Sequence, residues 1–186
     1  SLAITWDAVQ HLPLPHSLTC LTLAVHLKEA VFGAVLPQEE VRKIGAKIPE
    51  GLQTLALDGD FNAKLECMAW PASLQSLSFG KLFNQSLQGV VFPSSLQSLT
   101  LGDSFDQSLE GVVFPNSLES LTFGDGFEQS LADIAFPGKL QSLTFGWNFD
   151  QSLRGVTFPG TLQNLALAML LTKASRVFPF PAIFKA

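Results

Sequence analysis

The sequence predicts a mainly β solenoid of about eight coils, each 22 residues long, with one parallel β-sheet and one short helical insertion. Two observations carry that prediction. Phe61, Phe83, Phe105, Phe127 and Phe149 are spaced 22 apart without slippage, and Pro49, Pro71, Pro93, Pro115, Pro137, Pro159 and Pro181 keep the same step. A five-residue string also returns at that interval, as "FDQSL" at 105–109, "FEQSL" at 127–131 and "FDQSL" at 149–153. An active site is built once from unlike residues. A structural unit that cannot bury its own apolar face is stacked in copies.

Counting from each Pro as position zero, apolar residues recur at offsets 3, 6, 8, 12, 16, 19 and 21. In the coil from Pro93 these are Leu96, Leu99, Leu101, Phe105, Leu109, Val112 and Phe114. The step of two at offsets 6 and 8 is strand-like, because alternate side chains share a face. Gly80, Gly102, Gly124 and Gly146 follow directly and read as a turn that draws on positive φ. The Pro that ends each unit favours extended backbone before it and donates no ladder hydrogen bond. Each unit is one short strand, a turn and an extended return. Stacking places Leu on Leu and Phe on Phe, which makes a solenoid. Both the period and the string L-x-x-L-x-[LF] fall in the leucine-rich-repeat range.

The chain reads as a single repeat domain, 1–186. Residues 1–36 hold a divergent first coil counted from Pro15, with Leu18, Leu21, Leu23, Leu27, Val31, Ala34 and Leu36 at the core offsets. Residues 37–48 form the insertion, a short helix read from Pro37 at the start, Glu39 and Glu40 early, Arg42 and Lys43 late, and Gly45 beyond. Residues 49–167 are the regular array, and 168–186 are a C-terminal cap or tail.

Repeats such as "LQSLSFGKLFNQSLQGVVFPSSL", Leu74 to Leu96, resemble the FNIP repeat, a leucine-rich-repeat relative. The resemblance is fullest over 49–167. Phe61-Asn62 and Phe83-Asn84 keep the family's Phe-Asn pair, whereas Asp106, Glu128 and Asp150 replace the Asn elsewhere. Ser86, Ser108, Ser130 and Ser152 stand where the family commonly has Pro. The resemblance implies a binding scaffold.

Composition suits one compact domain: 47% hydrophobic residues and 16 Phe against 15% charged. No apolar run reaches the roughly 20 residues needed to span a bilayer as a helix. The chain starts at Ser1 and has no secretory signal, so it reads as a processed or truncated product. Net charge is -5, and residues 51–160 hold 11 acids against 4 bases. Such a surface repels phosphate backbones, so no nucleic-acid partner is expected. Cys20 and Cys67 fall at unrelated offsets, so both are expected to be free thiols in an intracellular, reducing compartment, either cytoplasm or an organelle.

Chemistry finds little support. His11, His16 and His26 are the only histidines, and no HExxH, GxSxG, CxxC or phosphate-loop string occurs. A zinc site from His16, Cys20 and His26 would lack a fourth ligand and a usual spacing. Asp103, Asp125 and Asp150 read as solvated turn residues rather than catalytic or calcium-binding carboxylates. No catalytic, metal or cofactor residue is assigned, and the chain reads as no enzyme.

The outward strand face remains. Offsets 5 and 7 form Ser/Thr columns from Ser76 and Ser78 to Ser142 and Thr144, and offset 4 adds Gln97, Glu119 and Gln141. A protein partner in a hetero-assembly is expected there. The alternative is an ice-binding face built on the hydroxyl ladder. The last coil departs from the rule with Ala166, Met169 and Leu170, followed by Phe178, Phe180, Ile183 and Phe184. With Trp147 as an aromatic anchor, this end is expected either to bind another subunit or to be covered by its own tail.

Overall fold

A computed structural model describes residues 1–11, 13–26 and 35–168 of the chain. In chain order the elements are β1 (Leu2–Thr5), α1 (Trp6–His11), β2 (Cys20–Val25), α2 (Gln38–Lys47), β3 (Thr54–Gly59), β4 (Ser76–Phe79), β5 (Ser98–Thr100), β6 (Ser120–Thr122), β7 (Ser142–Phe145) and β8 (Asn164–Leu167). All eight strands form one parallel sheet in sequence order, the arrangement of a leucine-rich-repeat-like solenoid. From β3 to β8 the register advances by one whole repeat, as in Leu77↔Leu99 and Leu99↔Leu121. Between β2 and β3 it advances from Leu21 to Leu55, because the α2 insertion lies between them.

The core follows the repeat template. In the coil from Pro93, all seven expected positions are buried, from Leu96 at 0% exposure to Val112 at 8%. The Phe column stacks ring on ring along the axis. Phe83–Phe105, Phe105–Phe127 and Phe127–Phe149 have centroids 6.0, 6.0 and 6.1 Å apart. Each ring therefore covers its neighbour's face, and no coil could bury its own Phe alone.

Three features differ from the sequence expectation. First, β1 and α1 precede the coil counted from Pro15, and Trp6 and Val9 of α1 are buried against the core. Residues before Pro15 carry no repeat signature, so the template could not find them. The expected insertion is α2, which buries Val41 and Ile44 and keeps Glu39, Arg42 and Lys43 outward, but it runs on to Lys47, so Gly45, expected beyond the helix, lies buried within it against Ala69.

Second, the glycines after the strands do not have positive φ. A Cβ at Gly102 would press on the Gly80 carbonyl, and one at Gly124 or Gly146 on the coil before it. These glycines are needed for close inter-coil approach. Positive φ falls instead at Gly59, the last residue of β3, and at offset 18, at Gly89, Gly111 and Gly155. Asp133 holds the equivalent position with φ 61°.

Third, the coil from Pro159 is less enclosed than those before it, since Leu162, Leu165 and Leu167 are only partly buried. The tail expected over 168–186 lies outside the described residues beyond Ala168, as do the core positions Leu27, Val31 and Ala34 of the first coil.

Candidate interaction surface

The recurring motif Phe-[Asn/Asp]-Gln-Ser-Leu is structural at every position. Phe and Leu are core. At Asn62, Asn84 and Asp106 the side chain points along the solenoid axis and accepts two hydrogen bonds from the next coil. Asn62 Oδ1 accepts from the Asn84 N–H and the Gln85 amide, both at 3.0 Å. Asn84 Oδ1 accepts from the Asp106 N–H at 3.0 Å and the Gln107 amide at 2.8 Å. Asp106 Oδ1 does the same for the Glu128 N–H and Gln129 at 2.9 Å. The Ser closes the local turn: the Glu110 N–H donates to Ser108 Oγ at 3.1 Å, as Ala132 does to Ser130. Asn and Asp both offer the needed acceptor, so their exchange along the column leaves the ladder intact.

A second polar ladder runs at offset 2. Ser73, Ser95, Ser117 and Thr161 each donate a hydroxyl to a leucine carbonyl one coil earlier, at 2.6–2.9 Å. The sequence offered a signal here, a hydroxyl two residues after most of the repeat prolines. The unit pattern P-x-x-L left that slot open.

What remains for recognition is the outward strand face. Ser76, Ser78, Ser98, Thr100, Ser120, Thr122, Ser142 and Thr144 are half-buried and alternate with buried Leu or Phe. Among the described residues their hydroxyls form no side-chain hydrogen bond. Gln97 and Gln141 are exposed and Glu119 is half-exposed, at the residue that enters β5, β7 and β6 respectively. Each sits where its backbone carbonyl takes two N–H bonds from the next coil, as Glu119 O does from Gln141 and Ser142. The rigid sheet therefore fixes the position of these side chains.

Trp147 is 51% exposed at the other end of the strands, in the turn after β7, with its N–H donated to Asp125 Oδ1 at 3.2 Å. The four-residue strand β7, roughly 13 Å long, lies between it and Gln141. The two thus mark opposite margins of the face rather than one cluster. Ala166 is exposed on β8. Met169, Leu170, Phe178, Phe180 and Phe184 lie outside the described residues. Two further apolar side chains are well exposed on the return side, Val91 at 84% and Val113 at 76%. They occupy offset 20, which the repeat template left unspecified.

Among the described residues, no group of three or more His, Cys, Asp or Glu is placed to hold a metal. His16, Cys20 and His26 are not brought together as a site. His26 instead lies 3.8 Å from the Asp60 carboxylate, with its side chain mostly exposed. Cys20 and Cys67 are both free. One local charge network stands out at α2. Lys43 bonds Glu40 at 2.8 Å and Glu39 at 3.1 Å, and the Trp6 indole N–H donates to Glu40 at 3.0 Å. The Lys43 hydrogen bond, then that from Trp6, holds the Glu40 carboxyl below its ordinary value. The hydrogen bonds from Lys43 to Glu40 and Glu39 raise the Lys43 ammonium above its own. This network ties α1 to α2.

Stacked identical coils, one parallel sheet and an internal Phe column define the chain as a leucine-rich-repeat-like solenoid. Within it, residues 83–126 match the family described as FNIP Repeat. Among solved structures, the chain is similar to CroV588, whose structure is described as a novel circular LRR protein. The TM-score is 0.60 and identity 28%, over 84% of this chain and 24% of that one. The chain thus spans about a quarter of that protein's length. No curated protein matches the sequence. Among the described residues, no helix is long and apolar enough to cross a membrane.

Proposed function

We propose that the chain is a non-catalytic, protein-binding scaffold that serves as a structural or accessory subunit of a hetero-assembly. The observation that carries this reading is the outward sheet face. Four consecutive strands present hydroxyls that make no side-chain hydrogen bond among the described residues, held in register by the ladder of the parallel sheet. A polar, pre-organised surface loses little freedom when a partner covers it. Trp147 adds the kind of exposed aromatic that concentrates binding energy. Acids outnumber bases along the array, which favours a neutral or basic protein over a nucleic acid. The free thiols Cys20 and Cys67 support an intracellular, reducing compartment on the same footing.

The ice-binding alternative rests on the same hydroxyl columns, at strand spacings of about 4.8 Å. Those columns are interrupted at both ends, by Cys20 and Ala56 on one side and Asn164 and Ala166 on the other. Glu119 adds a charge at their margin. The scaffold reading is therefore preferred.

The test compares the intact chain with Trp147→Ala and with Gln97→Arg/Gln141→Arg as baits in affinity purification with mass spectrometry. The expected result is one or more proteins recovered by the intact chain and lost by a face variant whose urea melt is unchanged. A chain that stays monomeric and recovers nothing, or recovers the same proteins with every variant, would overturn the proposal. Ice recrystallisation assays should show no activity.

A further inference from the structure

The sequence holds two Asp-Gly pairs, Asp58–Gly59 and Asp125–Gly126. In such a pair the Gly nitrogen can attack the Asp carboxyl carbon, because no side chain on the Gly stands in the way. Where the fold holds the two groups decides whether it does. Both aspartates are exposed, and they sit one position apart in the repeat, at offsets 9 and 10.

At Asp125–Gly126 the neighbouring coils pull the groups apart. The Gly126 N–H donates to the Asp103 carbonyl of the coil before, at 2.7 Å. Asp125 Oδ1 accepts from the Trp147 N–H of the coil after, at 3.2 Å. The N–H at offset 11 is held this way in other coils too, since Ser104 donates to the Lys81 carbonyl and Asn148 to that of Asp125. A shift of one position releases Asp58–Gly59 from this pattern. The offset-11 N–H of its coil belongs to Asp60, which donates to the Val25 carbonyl at 2.6 Å. Gly59 instead donates its N–H to Asp58 Oδ1 at 2.8 Å, so the two groups of the pair rest on each other. Gly80 of the next coil leaves the carboxylate its space, because a Cβ there would strike Asp58 Oδ1.

We propose that Asp58–Gly59 is a site of spontaneous main-chain rearrangement from aspartyl to isoaspartyl, and that the solenoid protects Asp125–Gly126 from the same reaction. A bond forms between the Gly59 nitrogen and Asp58 Cγ, and the carboxyl OH leaves with the amide hydrogen as one water. Water then reopens the five-membered imide at either carbonyl, returning aspartate or giving isoaspartate. Ring closure adds no atom, so the close packing of Gly59 on the Val25 carbonyl does not bar it. Isoaspartate carries one more methylene in the main chain, and it lands next to the Asp60 N–H that ties this coil to Val25. The joint between β2 and β3 is therefore where the rearrangement is felt.

The test ages the intact chain at neutral pH in water enriched in heavy oxygen, then maps oxygen uptake and isoaspartate by peptide mass spectrometry. Each passage through the imide leaves a water oxygen on the residue, so reopening to aspartate is counted as well. Asp58 should take up label about tenfold or more faster than Asp125, the factor expected from the two hydrogen bonds that Asp125–Gly126 must first break. In urea, where the fold no longer places either pair, the two rates should converge. Asp58→Glu, whose longer side chain closes only a slower six-membered ring, should lose the label at 58 and leave Asp125 unchanged. Equal rates in the folded chain, faster uptake at Asp125, or a difference that persists in urea would overturn the proposal.

Discussion

Asn84 Oδ1 takes the Asp106 backbone N–H and the Gln107 side-chain amide at once, so one side chain fixes both the height and the register of the following coil. Removing that acceptor strands two donors in a half-buried position. Asn84→Ala should lower stability by about 1–3 kcal/mol, the cost of leaving such groups unpartnered. Asn84→Asp should cost under about 1 kcal/mol, since Asp106 already performs the same task one coil on. Urea unfolding of the three proteins distinguishes these outcomes.

The Phe column predicts a larger loss. Phe105→Ala and Phe127→Ala remove fully buried rings, each stacked on a neighbour on either side. Each should cost about 3–5 kcal/mol. Ser108→Ala removes one exposed acceptor for the Glu110 N–H and should cost about 1 kcal/mol or less. Equal effects in urea melts would contradict the core assignment.

Backbone conformation gives predictions of opposite sign. Asp133→Gly relieves a positive φ and should raise stability by up to about 1 kcal/mol. Gly111→Ala imposes that conformation on an L residue and should lower it by about 1–2 kcal/mol. Gly102→Ala should be worse, because its Cβ meets backbone, which cannot turn aside as a side chain would. Thermal melts of the three rank them.

Acid should weaken the α1–α2 contact. Glu40 has a lowered folded pKa, so its contribution is present above the unfolded value and is lost as pH falls through the folded one. The stability difference between the intact chain and Glu40→Gln should thus be full at pH 7, begin to fall as pH drops through the ordinary glutamate value of about 4.3, and be gone only below the lowered folded value. The raised Lys43 gives the mirror case, lost only as pH rises through its folded value, above about 10.4. Denaturant midpoints at several pH values check the acid window.

The sheet, the core and the insertion were legible because periodic apolar residues record burial directly. Leu96, Leu99 and Phe105 could each be placed from spacing alone. The strand at Leu2–Thr5 was not, since a terminal coil needs to match only one neighbour and is free to lose the repeat signature. The role of Gly102 was misread because sequence shows that Gly is required but not whether φ or space requires it. The outward face was readable as polar columns, with Gln97, Glu119 and Gln141 at its edge. The separation of Trp147 from them needed the turn geometry. Val91 and Val113 escaped notice because an exposed Val and a buried Val look alike in a chain this apolar.

Because Asn62, Asn84 and Asp106 make the same pair of bonds one repeat apart, every coil from β3 to β6 presents an interchangeable upper and lower surface. A gene encoding such a protein can gain or lose whole cassettes by unequal recombination without leaving a scar. Excision of residues 93–114 would bring Asn84 against the Glu128 N–H and Gln129, and the Ser117 hydroxyl against the Leu74 carbonyl. The shortened product keeps its reading frame, its core and its joints, so copy number becomes a heritable ruler for the length of the binding face.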